Sequence, residues 1–309
     1  MATEYTRFTN LDVTGGLKVS GGFVPPEVVG DTYYVDVNYG KTTNDGLSWD
    51  TPLKSLMPAI VLSNASIAAG ASGWAARNRI YYKGDNNEAA AETLITLANK
   101  CDIIGVGSYD HRPMPMMIGN HVIGAGAYMG CRFINVGFMS PAAGGVIMTV
   151  PTTTSGLAFI SCHFDGRSTT AATKAIVATA VEQLSIIDCR FIGKFSTNVI
   201  ELGAGATRAL MIKGNYIESG AIGIVVSSTA TCADAIGYII DNVFAVTTLV
   251  IDENSDKFVV GGNRGSTLAA DSKLTSVIDF NAALSYDNLF TCGTGVTAIY
   301  PAQAAITAP

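Results

Sequence analysis

The sequence predicts an all-β chain folded as a parallel β-helix, a solenoid of short strands, on three observations. A short apolar strand that ends near a Cys or Asn recurs along the chain, a second apolar strand follows it, and turns rich in Gly, Ser, Thr and Asn separate them. We call the recurring Cys or Asn the ladder position; its members are Cys131, Cys162, Cys189, Asn215, Asn242, Asn263 and Asn288. Their successive spacings of 31, 27, 26, 27, 21 and 25 residues are typical of a solenoid.

The ladder strand at 186–191, IIDCRF, predicts which side chains face the interior. With a period of two, Ile187, Cys189 and Phe191 share the inner face, and Asp188 and Arg190 face water. The copy at 159–164 gives Ile160, Cys162 and Phe164 inside, with Ser161 and His163 outside. Because strands of successive coils stack, like residues then lie above like, and the asparagines can form a hydrogen-bonded ladder.

A second set of apolar strands follows the ladder strands and completes each coil. These strands are predicted at 144–150, 175–179, 198–202, 222–226, 247–251 and 275–280. Helical periodicity is absent between the two sets, which argues against a fold of alternating strands and helices. Parallel sheets therefore run the length of the predicted body.

The segment before the coils carries a recognisable entry motif. Residues 41–60 contain the turn Asn44-Asp45-Gly46 and the pair Ser48-Trp49, followed by a short helix for which Ser55 is the predicted N-cap. Together with the repeat, this motif resembles the right-handed, pectate-lyase-like β-helix superfamily over roughly residues 31–300. The resemblance implies a right-handed solenoid plugged by an N-terminal capping helix. It does not imply one function, because this fold hosts lyases, hydrolases, adhesins and virion proteins.

The chain divides into four predicted regions. They are an attachment arm (1–30), an entry strand with the capping helix (31–72), the β-helix (73–300) and a tail (301–309). The apolar residues of the arm are Phe8, Leu11, Val13, Leu17 and Val19. Its segment NLDVTGGLKVSGG (10–22) is similar to N-terminal segments of tailed-phage virion proteins, which implies that the arm docks on a phage capsid or tail.

Composition excludes several classes of partner. The chain has 309 residues, of which only 14% are charged, and its net charge of −6 argues against nucleic-acid binding. Its apolar runs are strand-sized, so no membrane insertion is expected. The N-terminus lacks a secretory pattern, so we expect folding in the cytoplasm of a host bacterium, with the virion surface as the final location. The six cysteines are accordingly expected to be free thiols.

No catalytic set, cofactor site or metal site is predicted. The outward acids beside the ladder are Asp188, Asp241 and Asp287. The first two are two coils apart, about 10 Å, which is slightly wide for an inverting glycosidase pair. The acidic turn at Asp252, Glu253 and Asp256 is interpreted as a solvated corner. The histidines His111, His121 and His163 lack metal-ligand spacing.

Three functions remain open at this stage. The first is a non-enzymatic phage virion protein, a capsid decoration or head spike, that docks by its arm; resemblance implies a homotrimer. The second is a tail spike that binds or cleaves host surface polysaccharide, using aromatic side chains as stacking surfaces; the candidates are Trp49, Trp74, Tyr128 and Tyr216. The third is a bacterial β-helix lyase or hydrolase, which requires a cluster of acids on one sheet face. The sequence therefore does not decide whether the protein is an enzyme, and the non-enzymatic hypothesis is favoured.

Overall fold

A computed structural model describes most of the chain from residue 29 to residue 292. The described residues are 18–19, 22–23, 29–70, 76–84, 90–107, 115–141, 144–166, 171–206, 209–218, 220–227, 230–231, 237–246, 249–253, 258–267, 278–280, 284–286 and 288–292. The arm residues Phe8, Leu11, Val13 and Leu17 lie outside these ranges, as does the predicted tail at 301–309. The predicted region boundaries therefore stay predictions.

Among the residues that the structure describes, strands make up nearly all the regular structure, with one helix, α1, at Leu56–Ala69. The strands in chain order are β1 Lys18–Val19, β2 Gly22–Phe23, β3 Val29–Asp36, β4 Arg77–Lys83, β5 Ala90–Ala91, β6 Cys101–Gly105, β7 Met116–Ile118, β8 His121–Val122, β9 Tyr128–Met129, β10 Cys131–Ile134, β11 Gly137–Met139, β12 Gly145–Val150, β13 Thr154–Ser155, β14 Ala158–Ile160, β15 His163–Asp165, β16 Ala172–Ala178, β17 Ser185–Ile187, β18 Arg190–Ile192, β19 Asn198–Leu202, β20 Gly205–Ala206, β21 Met211–Lys213, β22 Tyr216–Glu218, β23 Ile222–Val226, β24 Ala230–Thr231, β25 Gly237–Ile240, β26 Val243–Val246, β27 Leu249–Glu253, β28 Phe258–Gly261, β29 Arg264–Thr267, β30 Ile278–Phe280, β31 Leu284–Tyr286 and β32 Leu289–Cys292.

Three long parallel sheets run through the described coils. Sheet 1 has the order β3-β4-β6-β10-β14-β17-β21-β25-β28-β31, sheet 2 the order β5-β7-β11-β15-β18-β22-β26-β29-β32, and sheet 3 the order β8-β12-β16-β19-β23-β27-β30. Each strand pairs with the equivalent strands of the coils before and after it. The predicted parallel β-helix is thereby confirmed, and the predicted second strands are those of sheet 3. This architecture is compatible with the pectate-lyase-like superfamily.

Two corners shape the coils, and both follow one rule. A residue with positive φ is followed at once by a side chain that is buried in the interior. At the corner that leads into sheet 1, the positive-φ residues are Lys100, Gly130, Gly156, Gln183 and Ala209, and the buried followers are Cys101, Cys131, Leu157, Leu184 and Leu210. At the corner from sheet 1 to sheet 2, the positive-φ residues are Asn135, Ser161, Asp188, Gly214, Asp241 and Gly262. Asn, Asp and Gly tolerate the left-handed region best, which explains their frequency at the second corner.

The assignment of Cys131 to the ladder position is wrong. Cys131 begins β10 and pairs with Cys101, which places it at the first corner. In β10, Ile134 pairs with Ile160, so Val136, two residues later, is level with Cys162. The ladder at the second corner is therefore Val136, Cys162, Cys189, Asn215, Asn242, Asn263 and Asn288. The outlying spacing of 31 residues then becomes 162 − 136 = 26, in line with the other coils.

The predicted alternation of inner and outer side chains is also wrong for the residues that precede the ladder position. Ile186 and Phe159 are fully buried, whereas Ile187 and Ile160 are half-buried on the outer face of sheet 1. The cause is the positive-φ residue: it ends one strand and turns the chain, so that a period of two cannot be counted through it. His163, predicted to face water, is buried. Cys189 and Phe191 do lie in the interior as predicted.

Phenylalanines fill the interior of the middle coils. Phe133 stacks on Phe159 with ring centroids 5.5 Å apart, and Phe164 stacks on Phe191 at 4.8 Å. Edge-to-face contacts, such as that between Phe159 and Phe164 at 5.5 Å, join the two stacks. These rings are fully buried. Aromatic pairs in both geometries stabilise a core beyond the area that they bury.

Asparagines satisfy the backbone at the second corner of the later coils. The Asn242 Oδ1 accepts hydrogen bonds from the Asn215 backbone N (3.0 Å) and Nδ2 (2.9 Å). The Asn242 Nδ2 in turn donates to the Ile212 carbonyl (3.1 Å) and to the Asn263 Oδ1 (3.0 Å). Asn263 and Asn288 repeat this pattern. Each amide thus binds the coil before it and the coil after it.

Thiols occupy the same corner in the middle coils. The Cys189 Sγ accepts a hydrogen bond from the Cys162 backbone N (3.4 Å) and donates to the Phe159 carbonyl (3.4 Å). Thiols are weaker donors and acceptors than amides. The described Cys101, Cys131, Cys162 and Cys189 are free and buried, as predicted.

The N-terminal cap, residues 37–69, closes the end of the solenoid. Helix α1 packs its buried residues Leu56, Ala59, Ile60 and Ser63 toward β3 and β4. The predicted N-cap, Ser55, makes no capping hydrogen bond; instead the Glu92 Oε1, from the first coil, accepts from the Met57 N at 2.9 Å. The loop before the helix covers the free edge of β3. Its contacts there include the Gly46 carbonyl on the Tyr34 N (2.7 Å) and the Leu53 carbonyl on the Asp36 N (2.9 Å).

Candidate functional site

Large apolar side chains are exposed mainly at the N-terminal end of the described chain. The cap exposes Tyr39, Leu47, Trp49, Val61 and Leu62. The first coils add Ile95, Val106, Val122 and Met129, whereas beyond residue 129 only Tyr238 and Val243 join the set among the residues whose burial is described. Single exposed apolar residues are ordinary, but a concentration of them at one end marks an interaction surface.

Helix α1 creates part of this surface because it is apolar on both sides. Its inner side chains close the solenoid, yet Val61 is 58% exposed and Leu62 is 39% exposed on the other side. No acidic or basic residue lies in its first or last turn. A surface helix in a monomer normally shows a polar outer face. This helix therefore has the composition of one that is covered on both sides.

The loop of the cap is held firmly by its own contacts. Trp49 packs edge-on against Tyr34 (centroids 4.9 Å apart), and Tyr34 stacks on Tyr81 (5.7 Å). The Asp45 carboxylate accepts from the Leu47 N (3.1 Å) and the Thr51 Oγ1 (2.6 Å). Those hydrogen bonds, chiefly that of Thr51, lower the pKa of Asp45. The exposed apolar side chains of the loop are thus presented on an ordered frame.

Asp36, at the end of β3, is satisfied by protein donors. Its Oδ1 accepts from the Asn38 N (2.9 Å) and the Tyr39 N (3.1 Å), and its Oδ2 pairs with the Lys83 Nζ (2.8 Å). The pKa of Asp36 is lowered by these bonds, against the opposing effect of its burial. The Lys83 ammonium also lies 5.3 Å from the centroid of the Tyr39 ring. Asp36 therefore stabilises the turn after β3 by accepting hydrogen bonds from its backbone. The cation–π contact with Lys83 holds the exposed ring of Tyr39 in place.

The aspartates beside the ladder position have a structural role at the second corner. Asp188 and Asp241 both have positive φ, and a Cβ added to Gly214 or Gly262 would lie 2.3 Å from the carboxylate of the aspartate one coil earlier. Each aspartate therefore leans over a position in the next coil that only glycine can fill. Asp287 lies outside the described residues. No group of three or more His, Cys, Asp or Glu in the described part is placed to hold a metal ion.

One acid pair was missed by the sequence reasoning. In sheet 3, Asp252 of β27 pairs directly with Asp279 of β30. Neighbouring parallel strands are about 4.8 Å apart, so the two residues lie side by side in register. The repeated triplet Val-Ile-Asp, at 250–252 and 277–279, is the signal that could have found them.

The environments of the described histidines do not suit them for acid–base catalysis. His121 is fully buried, and its Nδ1 accepts from the Leu94 N (3.0 Å). Burial lowers the pKa of His121 to about 4, so the imidazole is neutral at pH 7. His163 lies in sheet 2 in register with Arg190, as the predicted row requires, but is buried. His111 lies outside the described residues.

The buried thiols are not prepared for nucleophilic chemistry. Burial raises the pKa of Cys101 to about 12, and it also raises the pKa of Cys131 and of Cys189. A thiol in this state carries almost no thiolate at neutral pH. These cysteines act as small interior side chains.

The aromatic residues proposed for sugar stacking have partners within the protein. The Arg190 guanidinium lies 5.9 Å from the centroid of the Tyr216 ring, and Trp49 contacts Tyr34. The Tyr128 hydroxyl is hydrogen bonded to the Thr96 hydroxyl at 3.2 Å. Trp74 lies outside the described residues. The three described candidates thus each make a contact within the protein.

Of the arm, the strand pair β1–β2 and residues 29–30, at the start of β3, are described. Val19 lies in β1, where it pairs antiparallel with Gly22. No helix in the described ranges is long and apolar enough to cross a membrane. No protein-family model matches the chain, and neither does any curated protein.

Proposed function

We propose that this protein is a non-enzymatic structural component of a tailed-phage particle, a capsid decoration protein or head spike. It docks through its N-terminal arm and cap, and it projects a trimeric β-helix from the particle surface. The observation that carries this proposal is the concentration of exposed apolar side chains at the N-terminal end, on the cap and first coils. The arm enters the fold at the same end, through β3.

The interior of the coils supports a scaffold role. Stacked phenylalanines and a continuous amide ladder fix neighbouring coils in register, which suits a rod that holds its shape. The buried thiols and the buried His121 are held in states that do not favour catalysis. An end that exposes large apolar side chains suits a projecting part, because it places a hydrophobic contact surface at the point of attachment.

The direct test is rebinding to particles that lack this protein. Full-length chain and a Val61→Glu/Leu62→Glu variant are incubated with such particles, and bound protein is measured after sedimentation. We expect wild-type chain to bind and the variant to lose most binding, because two charges are placed in the apolar contact. Val177→Glu, which places a single charge on the outer face of sheet 3 at a half-buried position, is the control and is expected to bind normally.

Deletion of residues 1–30 tests the contribution of the arm in the same assay. We expect the deletion to reduce binding strongly. Full binding by both the deletion and the cap variant would overturn the proposed docking end.

Polysaccharide cleavage is a second candidate, favoured by the register of Asp252 and Asp279. Retaining glycosidases carry two carboxyl groups about 5 Å apart, close to the spacing of neighbouring strands. Incubation with host capsule or lipopolysaccharide, followed by assays for new reducing ends and for unsaturated sugars, separates a hydrolase from a lyase. Loss of cleavage in Asp252→Asn and Asp279→Asn, but not in Asp188→Asn, would establish this function and overturn a non-enzymatic role.

A further inference from the structure

The outer face of sheet 1 carries a line of isoleucines that the scaffold itself does not need. Strand register places one outward residue of each coil directly above the next, from β6 to β25. We call this line the isoleucine column; its members are Ile104, Ile134, Ile160, Ile187 and Ile240, with Lys213 between the last two. All five isoleucines are half-buried, and Lys213 is exposed.

A parallel outward row widens the apolar face. Two residues before the column, Ala158, Ser185, Met211 and Tyr238 are in register, and Tyr238 is 36% exposed. At the N-terminal end of this row the charges are already neutralised, because Asp102 pairs with Arg132 (2.6 Å). The outer face of an exposed sheet is ordinarily polar. The middle of sheet 1 has the opposite character.

We propose that the outer face of sheet 1 is a self-association surface, which packs against a second copy of this chain in parallel orientation. A line of like residues at a regular spacing of about 4.8 Å is complementary to itself when two copies stand side by side along a common axis. Each isoleucine then meets apolar side chains at its own height. The proposal rests on the trimeric rod of the proposed function and assigns the surface that holds the rod together.

Charge complementarity favours the parallel orientation. Lys213 interrupts the isoleucines and has no ion-pair partner among the described residues. The Asp188 carboxylate lies over Gly214, the residue next to Lys213, so that an acid stands at the corner at the height of Lys213. Asp241 stands at the same corner one coil further on. In a parallel assembly the corner of one copy brings these acids to Lys213 of the next copy.

The size of the face agrees with a contact that extends over this corner. The six strands from β6 to β25 span about 24 Å, and about four residues of width give an apolar face of roughly 300 Å². A standard stable interface needs about 800 Å² from each partner. The sheet face alone is too small, so the contact must reach the edge where Lys213, Asp188 and Asp241 lie.

The test compares charges placed on two faces of the full-length chain. Ile160→Glu/Ile187→Glu introduces charges in the column, and Val177→Glu introduces one on the outer face of sheet 3. Oligomeric state is measured by sedimentation velocity, and folding is checked by circular dichroism. We expect an oligomeric wild-type chain, an oligomeric Val177→Glu, and a folded Ile160→Glu/Ile187→Glu whose association is weakened by about a hundredfold or more.

Cysteine cross-linking fixes the orientation. In a parallel contact, Ile134→Cys and Ile160→Cys each face their own counterpart, so mild oxidation should give a disulfide-linked dimer from each single variant. An antiparallel contact can place at most one of these two heights opposite itself, so a dimer from only one of the two variants, or only from their mixture, contradicts the parallel orientation. A wild-type chain that is monomeric, or an oligomer unaffected by glutamates in the column, overturns the surface. Because no particle is used, these outcomes are independent of particle docking.

Discussion

The coils and the N-terminal cap bury their apolar residues in opposite ways. In the coils, Phe159, Phe164 and Phe191 are enclosed, and from the coil of Cys162 onward thiols or amides satisfy the backbone at the second corner. In the cap, one side of helix α1 closes the solenoid, while Val61 and Leu62 remain exposed on the other. The difference indicates a division of labour: the coils supply stability, and the cap supplies a surface for binding. Variants that change stability without changing binding, or binding without changing stability, test this division.

The largest loss of stability is expected from Asn242→Leu in the amide ladder. The change removes the acceptor of the Asn215 N and Nδ2 and the donor to the Ile212 carbonyl. Unsatisfied buried groups cost about 1–3 kcal/mol each, so we expect the free energy of unfolding to fall by about 4–6 kcal/mol. Urea unfolding measures it. Asn242→Asp, similar in shape, keeps the acceptor and separates hydrogen bonding from packing; a loss below about 1 kcal/mol for Asn242→Leu would contradict a stabilising ladder.

A slightly smaller loss is expected from Phe164→Ala in the ring stack. Phe164 contacts Phe138, Phe159 and Phe191, with centroids 5.0, 5.5 and 4.8 Å away. Removing a buried ring costs about 3–5 kcal/mol, because the cavity closes only in part. Thermal unfolding should show the loss, while Phe164→Leu, which refills part of the space, should lose less. Equal losses for both variants would mean that the aromatic contacts of Phe164, rather than the volume it fills, provide the stability.

Acid should destabilise the coils through His121. Its folded pKa of about 4 lies below the unfolded value of about 6.5, so the unfolded chain binds the proton first as the pH falls. The stability contribution is present above pH 6.5 and is lost between pH 6.5 and 4, by about 3 kcal/mol. Melting temperature measured across that range should fall for the wild-type chain and fall less for His121→Leu. Identical slopes would assign the acid sensitivity to other groups.

The smallest effect on stability is expected from Val61→Glu/Leu62→Glu in the cap. Surface substitutions away from the core usually change the free energy of unfolding by less than about 0.5 kcal/mol. We therefore expect a nearly unchanged melting temperature together with lost particle binding. The coil variants Asn242→Leu and Phe164→Ala should show the reverse. Their melting temperatures should be lower, but they should bind particles at temperatures where they are folded. A cap variant that unfolds would show that the exposed side of α1 is structural.

The parts of the fold that repeat could be predicted from sequence. Asn215, Asn242, Asn263 and Asn288 stand in successive coils, and a fixed spacing exposes them without knowledge of the structure. Cys131 was misplaced because both corners follow the same rule, a positive-φ residue and then a buried one, so two columns were read as one. A repeat shows that residues stack, but it does not show which corner they occupy.

Features made by residues far apart in the chain could not be predicted. The cap of α1 comes from Glu92, 35 residues after Met57, and nothing near the helix indicates it. The burial of His163 and the exposure of Val61 depend on what packs beside them, which periodicity does not report. The isoleucine column was hidden for a related reason: counting through the positive-φ residue assigned Ile160 and Ile187 to the interior.

The most direct test is an electron-microscopy reconstruction of the particle that carries this protein. The account predicts that α1 and the cap loop, with Val61 and Leu62, contact the particle surface and that the coils project away from it. Neighbouring copies should be parallel and touch through the outer face of sheet 1. Coils that lie flat on the particle, or a cap that points into solvent, would contradict it.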